Sequence, residues 1–379
     1  MNESNHLHIF HDEKFTNTIV SQFLASKVPN QSFVLIQEEG INELVYSIKP
    51  GHHIRIIKKN SIKYKELLAS LPNYSTLFIH YLCDLKLEFI ENAPPNTKII
   101  WMCWGQDIHK LIIPKSYLPQ TKLLLKKNHK FSEFFWEYTL PLRLLKFPLS
   151  RKGRLLKRID YCCPVIKEDL ILINRKLKLN IQYIPFHYGT LENFLGEQLN
   201  SSCRGNNILV GNSSSYASNH LDVFKELQKF NLGNRKLIVP LNYGDTEYGK
   251  EISEIGYHIF NDRFIAILSF LPIIDYNKMV ASCSVAIFNH LRQQALGNIL
   301  VCLWLGIRVY LNNDSPLYDS LKRKGLIVYS IQEALIIENG LALEKMADDD
   351  VAKNKVILLK EFGNVNTVDL TKQIFDYLN

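Results

Sequence analysis

The sequence predicts an α/β protein with two doubly wound, Rossmann-like domains that face a central cleft. Three observations support this fold class: the length of 379 residues, a regular alternation of short apolar strands with helical segments, and a polar linker near the middle. A single hydrophobic core rarely extends beyond about 250–300 residues, so this length favours two domains. Alternating strands and helices are typical of parallel sheets with helices on both faces.

The first half of the chain shows this alternation throughout. Its apolar stretches have the length and composition of buried strands. They are residues 7–10, 32–36, 53–57, 76–82, 98–104, 158–165 and 181–186. Residues 195–207 (LGEQLNSSCRGNN) are polar and contain Gly, Ser and Asn, so they form the predicted linker. We therefore assign residues 1–195 to an N-terminal domain.

A second series of strands and helices begins after the linker. The predicted strands are residues 207–210, 236–241, 257–260, 264–268, 284–289, 308–311 and 325–329. The predicted helices are residues 218–230, 245–255, 275–283 and 294–306. We assign residues 205–345 to a C-terminal domain and residues 349–379 to a helical tail that we expect to pack back on the N-terminal domain.

Composition places the chain among globular proteins of a reducing compartment. Hydrophobic residues make up 46% of the chain and charged residues 22%. The longest apolar run, residues 264–274, is shorter than the roughly 20 residues that span a bilayer. The N-terminus lacks the basic and apolar regions of a secretory signal. The seven cysteines are odd in number and show no CxxC pair, which favours the cytoplasm.

Positive charge is concentrated in residues 115–158. This segment holds twelve Lys or Arg against two Glu, and because the whole chain carries +8, the remainder sums to about −2. That distribution argues against a nucleic-acid binder. Cations interleaved with leucines and aromatic rings suit a surface that lies on anionic lipid headgroups. An amphipathic helical pair with a buried apolar face and solvated charges is the alternative. The aromatic residues concerned are Phe131, Phe134, Phe135, Trp136, Tyr138 and Phe147.

The stretch ILVGNSSSYASNHLD at residues 208–222 combines a buried strand, a polar turn and the start of a helix. Small polar residues in this position hold phosphate through the unpaired N–H groups and the positive dipole end of the helix. The stretch has neither the Gly-Lys-Ser/Thr ending of a P-loop nor the GxGxxG pattern of a dinucleotide site. Gly211, Asn212 and Ser213 are therefore either ligand contacts or an ordinary turn with an N-cap residue.

A second polar loop, FNHLRQQALGNIL at residues 288–300, follows another predicted strand. Arginine forms charge-assisted bonds with phosphate oxygens, and glycine lets the backbone approach a diphosphate. Two glutamines at a helix entrance contribute little packing, so a ligand site is favoured. The candidate residues of this loop are His290, Arg292, Gln293, Gln294, Gly297 and Asn298.

Three further residues are candidate ligand contacts in the second half. Tyr243 and Gly244 follow the strand 236–241, where a tyrosine could stack on a ligand or hydrogen-bond with it. Tyr276, together with the Leu271-Pro272 loop, could flank a nucleobase. Core and turn roles are the alternatives for all three.

Two strand ends of the first half carry candidate functional side chains. His11 and Asp12 follow the first strand, and Trp104, Gly105 and Asp107 lie where the strand 98–104 ends. Trp104 beside Gly105 offers a flat apolar wall that suits a sugar. Asp107, Asp12 and His11 are candidate general bases, provided that burial raises a carboxylate pKa or a neutral imidazole is in place. Helix capping is the alternative role for an Asp after a strand.

The sequence also bears on metals and cofactors. No set of His, Cys and Asp has metal-ligand spacing, and no Asp-x-Asp pair lies at a strand end. We therefore expect a metal-free diphosphate site, neutralised by arginine and N–H groups, with no cofactor.

These stretches resemble the TDP-N-acetylfucosamine:lipid II N-acetylfucosaminyltransferase family, which makes lipid-linked bacterial surface polysaccharide such as enterobacterial common antigen. In the second half the resemblance lies in VGNSSSYASNHLD, IVPLNYG, SVAIFNHLRQQALGN and GIRVYLNNDSPL. In the first half it lies in LFIHYL, IIWMCWGQD, RIDYCCPVIKEDL and QYIPFHYGT, in the same order. The resemblance covers residues 75–330, and VGNS and RQQxxGN are its most specific elements.

The resemblance implies a GT-B glycosyltransferase with an N-terminal acceptor domain, a C-terminal nucleotide-sugar domain and no required metal. Trp104, Gly105 and Asp107 would face the acceptor. The basic segment would meet the membrane that holds a polyprenyl-diphosphate glycan. The residues implied to line the donor diphosphate and sugar are Gly211, Asn212, Ser213, Tyr243, Arg292, Gln293, Gln294, Gly297 and Asn298.

The sequence thus predicts transfer of a deoxy-aminosugar of the N-acetylfucosamine type from a TDP-sugar to an undecaprenyl-diphosphate glycan. The expected partners are these two substrates and the anionic inner-membrane surface, with no nucleic acid. The expected location is peripheral, on the cytoplasmic face of the bacterial inner membrane. A nucleotide-sugar epimerase or hydrolase of the same fold, or a non-catalytic polysaccharide-assembly protein, is the alternative.

Overall fold

The computed structural model describes most of the chain as two compact units. The described residues are 5–378 apart from 14, 42, 47, 50, 109–115 and 336–342, and without the side chains of 131–134, 136–138, 334 and 335. The first unit consists of residues 1–112, 139–189 and 365–379, and the second of residues 113–138 and 190–364. The side chains of Phe131, Phe134, Trp136 and Tyr138, predicted to contact lipid, lie outside the described part.

Two segments that we predicted to be continuous, residues 115–158 and residues 349–379, are each divided between the two units. The basic segment 115–158, expected in the N-terminal domain, is divided after residue 138 between the second unit and the first. The tail is divided as well, because residues 349–364 belong to the second unit and residues 365–379 to the first.

Both units are built from parallel strands connected mainly by helices. The strands are β1 (His6–Phe10), β2 (Gln31–Gln37), β3 (Arg55–Lys58), β4 (Thr76–His80), β5 (Lys98–Met102), β6 (Tyr161–Cys163), β7 (Gln182–Tyr183), β8 (Asn207–Val210), β9 (Leu237–Pro240), β10 (Phe264–Ile267), β11 (Cys283–Phe288), β12 (Arg308–Leu311) and β13 (Tyr329–Ser330).

The α-helices lie between and after these strands. They are α1 (Thr16–Ala25), α2 (Ile62–Ala69), α3 (Leu87–Asn92), α4 (Pro119–Lys127), α5 (Phe131–Lys146), α6 (Arg151–Leu156), α7 (Lys167–Leu177), α8 (Leu191–Leu195), α9 (His220–Leu227), α10 (Thr246–Phe260), α11 (Ile273–Val280), α12 (Leu296–Trp304), α13 (Pro316–Arg323), α14 (Asp348–Phe362) and α15 (Asn364–Asp376).

In the first unit the described strands form one parallel sheet in the order β3-β2-β1-β4-β5-β6-β7. The direction of winding reverses between β1 and β4, whose register pairs His6 with Thr76 and Ile9 with Ile79. Both strands are buried along their whole length, including the polar residues His8 and His80. Ligands of open α/β sheets bind outside the carboxyl ends of the strands at such a reversal.

The described strands of the second unit also form one parallel sheet, in the order β10-β9-β8-β11-β12-β13. Here the winding reverses between β8 and β11, where Val210 pairs with Ile287. The loops after β8 and β11 therefore leave the sheet side by side. Two doubly wound, Rossmann-like units confirm the α/β class that the sequence predicted.

One predicted strand is wrong. Residues 257–260 (YHIF) continue helix α10, which runs from Thr246 to Phe260. Asp245 is the N-cap of this helix, and its side chain accepts a hydrogen bond from the backbone N–H of Tyr248. Its buried face includes Ile252, Gly256 and Phe260, spaced four residues apart. A short apolar run at the end of a long helix has no period of its own, so the pattern alone suggested a strand.

Helix α4 illustrates why part of the basic segment belongs to the second unit. Leu124 and Leu125 are buried in the core that β8, β9 and the neighbouring helices form. Asp222 holds the start of α4, because its carboxylate accepts hydrogen bonds from the backbone N–H groups of Gln120 (2.9 Å) and Thr121 (3.1 Å). For α4, the alternative of an amphipathic helix with a buried apolar face is therefore correct.

Candidate active site

The turn after β8 requires a glycine. Gly211 has φ of +68°, a conformation that is strained for other residues. Its N–H donates to the carbonyl of Ile287 on β11 at 2.9 Å. A Cβ at this position would lie 2.6 Å from Nε2 of His220, so the buried imidazole packs directly against the glycine. Gly211 thus allows the loop to turn above His220.

The serines that follow serve different purposes. Ser214 is buried, and its hydroxyl donates to the carbonyl of Leu241 at 2.8 Å. The backbone of Ser214 pairs with Gly244, where a Cβ would lie 2.5 Å from the carbonyl oxygen of Ser214. Gly244 is therefore required by the close approach of two loops. Asn212 and Ser213, in contrast, contact the loop after β11.

Gln294 joins the two predicted loops. Its Nε2 donates to Oδ1 of Asn212 at 3.2 Å and lies 3.5 Å from Oγ of Ser213. The Oε1 of Gln294 is buried and has no hydrogen-bond partner among the described residues. Side chains that the sequence places more than 80 residues apart thus meet at the β8–β11 reversal. One unsatisfied acceptor remains for a ligand or water.

Helix α12 begins at this same place. Ala295 precedes it with φ of +65°, and the first helical bond runs from the N–H of Ile299 to the carbonyl of Ala295. The N–H groups of Leu296, Gly297 and Asn298 therefore have no acceptor within the helix. Such N–H groups and the positive end of the helix dipole bind anions. Gly297 also has a packing role, because a Cβ there would lie 3.3 Å from Cε1 of Phe194.

Two neutral histidines lie beneath the loops. His220 is fully buried, its Nδ1 is 2.9 Å from the hydroxyl of Tyr248, and burial lowers its pKa to about 3. His290 is 2% exposed, and burial, followed by the charge of Arg292, holds its pKa well below the usual value. The Nε2 atoms of both rings are buried without a hydrogen-bond partner among the described residues. Arg292 therefore supplies the positive charge of this site, while the histidines stay neutral.

A chain of asparagines supports the loop after β11. The side-chain amide of Asn219 donates to the carbonyl of Asn289 at 2.8 Å. Asn312, which follows β12, donates to Oδ1 of Asn289 at 2.8 Å. All three side chains are buried. The sequence analysis missed these residues because asparagines after strands look like ordinary turn residues.

The remaining candidates of the second unit differ in their exposure. Tyr243 is 54% exposed and, together with Gly244 and Leu268, lines a pocket of about 240 Å³ beside the ends of β9 and β10. Gln293 is buried. The Tyr276 hydroxyl is buried without a hydrogen-bond partner in the described part of the chain, and the nearby thiols of Cys302 and Cys283 reinforce the upward shift of its pKa that burial causes. Tyr276 as a whole is half-buried, and its contact with a nucleobase stays a prediction.

In the first unit, aromatic side chains surround Trp104 at the end of β5. Its ring centroid lies 5.7 Å from that of Tyr81, 5.7 Å from that of Tyr188 and 6.0 Å from that of His11. The indole Nε1 is buried and has no hydrogen-bond partner within the described residues. Gly105 follows with φ of +90°. The predicted apolar wall thus exists, and it includes three rings that the sequence analysis did not connect with it.

The carboxylate of Asp107 accepts hydrogen bonds from several groups of the protein. One carboxylate oxygen accepts from the indole N–H of Trp101 (2.7 Å) and the N–H of Leu82 (3.0 Å). The other accepts from the N–H of Trp104 at 3.1 Å and the thiol of Cys103 at 3.3 Å. Four donors occupy this buried carboxylate. This geometry argues against the predicted role of Asp107 as a general base. All four donors precede Asp107 in the chain, so its carboxylate joins the segments after β4 and β5 and is not an N-cap.

Asp12 and His11 also form hydrogen bonds within the protein. Asp12 accepts hydrogen bonds from the N–H groups of Val45 (2.5 Å) and Tyr46 (3.2 Å), so it holds the backbone of the neighbouring loop. His11 lies between Lys86, whose Nζ is 2.8 Å from Nδ1, and Glu13, whose Oε1 is 3.4 Å from Nε2. Burial lowers the pKa of His11, and its ring is therefore neutral at pH 7.

The sequence analysis missed Lys86 and gave Glu13 no role. Lys86 reads as an exposed residue in the polar start of α3, yet it is fully buried. The only sequence signal was the position of Glu13 two residues after His11. Among the described residues, no three His, Cys, Asp or Glu side chains are grouped so that they could hold a metal ion.

Comparison with known proteins agrees with this geometry. Residues 170–359, half of the chain, match the family model described as 4-alpha-L-fucosyltransferase glycosyl transferase group 56. A glycosyltransferase from Rickettsia africae is similar in structure, with 12% identity, a TM-score of 0.62 and coverage of 100% of this chain and 99% of that one. Anabaena HepE in complex with UDP and glucose has 11% identity, a TM-score of 0.63 and coverage of 99% of both chains.

Sucrose-phosphate synthase from Thermosynechococcus elongatus is similar to the same extent, with 11% identity, a TM-score of 0.62 and coverage of 99% of both chains. At these identities the likeness concerns the fold, which is that of GT-B glycosyltransferases. The family match favours a transferase over the epimerase, hydrolase and non-catalytic alternatives. The chain belongs to the 4-alpha-L-fucosyltransferase family, glycosyl transferase group 56, and is a glycosyltransferase of the GT-B fold.

Proposed function

We propose that the protein transfers a deoxy-aminosugar of the N-acetylfucosamine type from a TDP-sugar to an undecaprenyl-diphosphate glycan. The observation that carries the donor site is the link from Gln294 to Asn212 and Ser213, beside the uncapped start of α12. It brings the two sequence elements that most specifically resemble the TDP-N-acetylfucosamine-using family to one sheet reversal. TDP and N-acetylfucosamine rest on that resemblance.

The donor diphosphate would lie between these two loops. The N–H groups of residues 296–298 and the guanidinium of Arg292 would neutralise its charge. During transfer the bond between the anomeric carbon and the diphosphate oxygen breaks, and the electron pair stays on the diphosphate. Charge on this leaving group increases in the transition state, so fixed donors at this position accelerate the reaction. His290 and Gln294 would form hydrogen bonds with hydroxyl groups of the sugar.

The pocket beside Tyr243 is the proposed position of the nucleobase. It is bounded by Leu268 and Thr246 and has a volume of about 240 Å³. Tyr243 exposes about half of its surface there, so its ring can stack on a planar base. Tyr276, our earlier candidate for base contact, has its hydroxyl in the core and is not part of this proposal.

The first unit is the proposed acceptor domain. Trp104, Tyr81 and Tyr188 form aromatic surface of the kind on which sugar rings pack. Gly105 leaves open backbone beside it. A hydroxyl of the acceptor glycan would form the new bond to the anomeric carbon and lose its proton to a base of this unit.

The basic segment is the proposed contact with the anionic inner-membrane surface. Leu142, Leu145 and Leu149 are 63%, 75% and 79% exposed in the part that belongs to the first unit. Exposed leucines beside Lys146 and Lys157 suit a peripheral site on anionic lipid. In the described part of the chain, no helix has the length and apolarity needed to cross a membrane.

Part of the basic charge stabilises the fold instead. Arg151 pairs with Glu91, and Lys152 lies 3.4 Å from Asp84. Arg158 donates to backbone carbonyls at the end of α3, including that of Ala93 at 2.7 Å. Neutralising these residues would therefore disturb the fold and lipid binding together. The exposed leucines give a cleaner test.

A thermal-shift panel of TDP, UDP, GDP and CDP tests the donor assignment. A ligand that binds only the folded protein raises its melting temperature. We expect the largest increase with TDP, and a smaller one with Arg292→Ala protein. A response to UDP alone would exclude TDP as the donor nucleotide.

Vesicle sedimentation tests the membrane contact. Replacing Leu142, Leu145 and Leu149 by Ser should reduce binding to vesicles that contain anionic phospholipid. The matched control replaces three exposed apolar residues of the same unit, Leu24, Ile62 and Ile171, which are 43%, 77% and 54% exposed. Equal loss of binding in the two triple variants would contradict the proposed contact.

A further inference from the structure

A buried lysine lies behind the histidine at the end of β1. Lys86 is fully buried, although a lysine at the start of a helix usually extends its amine into water. Its Nζ donates to the backbone carbonyl of His80, to that of Tyr81 at 3.1 Å, and to Nδ1 of His11 at 2.8 Å. Three acceptors match the three N–H bonds of an ammonium group. Burial lowers the pKa of Lys86 to about 8, which leaves it charged at pH 7.

The bond from Lys86 fixes the tautomer of His11. Because the ammonium has no lone pair, Nδ1 of His11 must be the acceptor in this pair. The ring is neutral, so its single proton lies on Nε2. Nε2 lies 3.4 Å from Oε1 of Glu13, so the proton-bearing nitrogen is close to a carboxylate oxygen.

This arrangement leaves His11 without a lone pair for a substrate proton. Nδ1 is engaged by Lys86, and Nε2 already carries a hydrogen. The prediction that His11 is a general base does not agree with this geometry. The carboxylates of Asp12 and Asp107 accept backbone N–H groups and are engaged as well. Glu13 retains 29% of its side-chain exposure, so a substrate hydroxyl can reach its carboxylate.

We propose that Glu13 is the proton acceptor of the transfer reaction, with His11 and Lys86 as its positioning residues. The inference rests on the proposed function in one respect, the presence of an acceptor hydroxyl at the first unit. As the acceptor oxygen bonds to the anomeric carbon, its O–H bond breaks and the proton moves to the Glu13 carboxylate. The diphosphate leaves with the electron pair of the cleaved bond.

Lys86 and His11 would act by orienting the carboxylate. The N–H of His11 would donate to the carboxylate oxygen 3.4 Å away, and the charge of Lys86 would keep that N–H on Nε2. A carboxylate held in one position transfers a proton more efficiently than one that rotates freely. Burial explains why this lysine cannot be exchanged for a shorter or neutral side chain without leaving carbonyl groups unpaired.

The first experiment compares Glu13→Gln with the wild type in a transfer assay. Loss of a general base lowers kcat by about 10²–10⁴-fold. Donor affinity should not change, because no donor loop of the second unit contains Glu13. Glu66→Gln is the matched control, an exposed glutamate on α2 of the same unit. Wild-type kcat in Glu13→Gln protein with an unchanged melting temperature would overturn the proposal.

Variants of His11 separate positioning from proton transfer. In His11→Gln the side-chain amide can still donate a hydrogen bond to Glu13, whereas His11→Leu removes the donor. We expect His11→Gln to retain most of the kcat that His11→Leu loses. If both variants are equally inactive while both remain folded, His11 is itself the base and Glu13 is not.

A spectroscopic test does not depend on the identity of the substrates. In a long-range ¹H–¹⁵N spectrum at pH 7, the His11 ring should show a neutral imidazole with its proton on Nε2. A proton on Nδ1, or an imidazolium, would overturn the proposal even if the transfer reaction proceeds. If no TDP-sugar is turned over but the Nε2 tautomer is found, the donor assignment fails and the positioning chain stands.

Discussion

The two sheet reversals of the molecule occupy the same place in the fold but hold different chemistry. At β8 and β11 of the second unit, the cation is Arg292, which is partly exposed and belongs to a loop. At β1 and β4 of the first unit, the cation is Lys86, which is fully buried and bonded to His11. The strand order therefore sets the position of each candidate site. The burial of its cation sets whether that cation can contact a ligand or only other protein groups.

This comparison has a consequence for mutations. Arg292 contributes charge to a loop, so its removal should affect activity more than stability. Lys86 satisfies two backbone carbonyls in the interior, so its removal should affect both.

Acidification should weaken the second unit through His220. Because burial lowers its pKa from 6.5 to about 3, the unfolded state binds more protons than the native state between these pH values. His220 therefore contributes no pH dependence above pH 6.5, and below it its contribution lowers the unfolding free energy by about 1.4 kcal/mol per pH unit. This contribution adds to those of other buried histidines whose pKa is lowered, such as His290. Urea unfolding from pH 7 to pH 4 measures this slope.

Two variants test whether His220 causes this slope. His220→Phe should reduce the slope by about 1.4 kcal/mol per pH unit, although it also leaves the hydroxyl of Tyr248 without its partner. His258→Gln, on the exposed side of α10, should leave the slope unchanged. The account is wrong on this point if the slope is the same in all three proteins.

Arg292→Ala should reduce kcat/KM for transfer by about 10²–10³-fold, the loss typical of one removed transition-state donor. The melting temperature should change little, because Arg292 is partly exposed. Steady-state kinetics and thermal unfolding measure the two effects. Arg263→Ala is the control, an exposed arginine of the same unit outside the loops. Undiminished transfer by Arg292→Ala protein would remove this residue from the donor site.

Gly211→Ala tests the turn above His220. A left-handed conformation costs an alanine about 1–2 kcal/mol, and the added Cβ would also lie too close to the imidazole of His220. We expect a loss of about 2 kcal/mol of unfolding free energy, together with weaker TDP binding, because the loop must move. Gly233→Ala has a similar φ of +54° but no neighbouring atom within 4 Å. Equal losses in the two variants would show that the contact with His220 is unimportant.

Asp222→Ala tests the assignment of α4 to the second unit. The lost cap should cost about 1 kcal/mol. Amide hydrogen exchange should become faster in residues 119–127 and remain unchanged in the first unit. Asp262→Ala is an exposed control in the second unit. Unchanged exchange in α4 would contradict the role of Asp222.

The candidate loops of the second unit were easier to find in the sequence than the contacts of the first unit, for a physical reason. The loops after β8 and β11 each carry a local signal, and parallel strands place their carboxyl ends at one edge. The strand pattern therefore placed both loops at one edge of a sheet, and the observed strand order shows that they are neighbours. The link through Gln294 is the side-chain detail that the structure adds. The roles of these residues remain predictions until they are tested.

The site of the first unit depends on contacts that have no local signal. Lys86 and His11 lie 75 positions apart in the sequence and meet only because β1 and β4 are neighbours. Asp107 had the expected position after a strand, but its four donors come from Trp101, Leu82, Trp104 and Cys103. A sequence pattern shows that a carboxylate is present and does not show which donors surround it.

The most direct test of the central claim is transfer itself. Purified protein, a TDP-linked N-acetylated aminosugar and an undecaprenyl-diphosphate glycan in anionic vesicles would be incubated, and the lipid fraction analysed by mass spectrometry. The account predicts a glycolipid heavier by one deoxy-aminosugar residue and one equivalent of released TDP. Release of TDP and free sugar with no change in the lipid would contradict it.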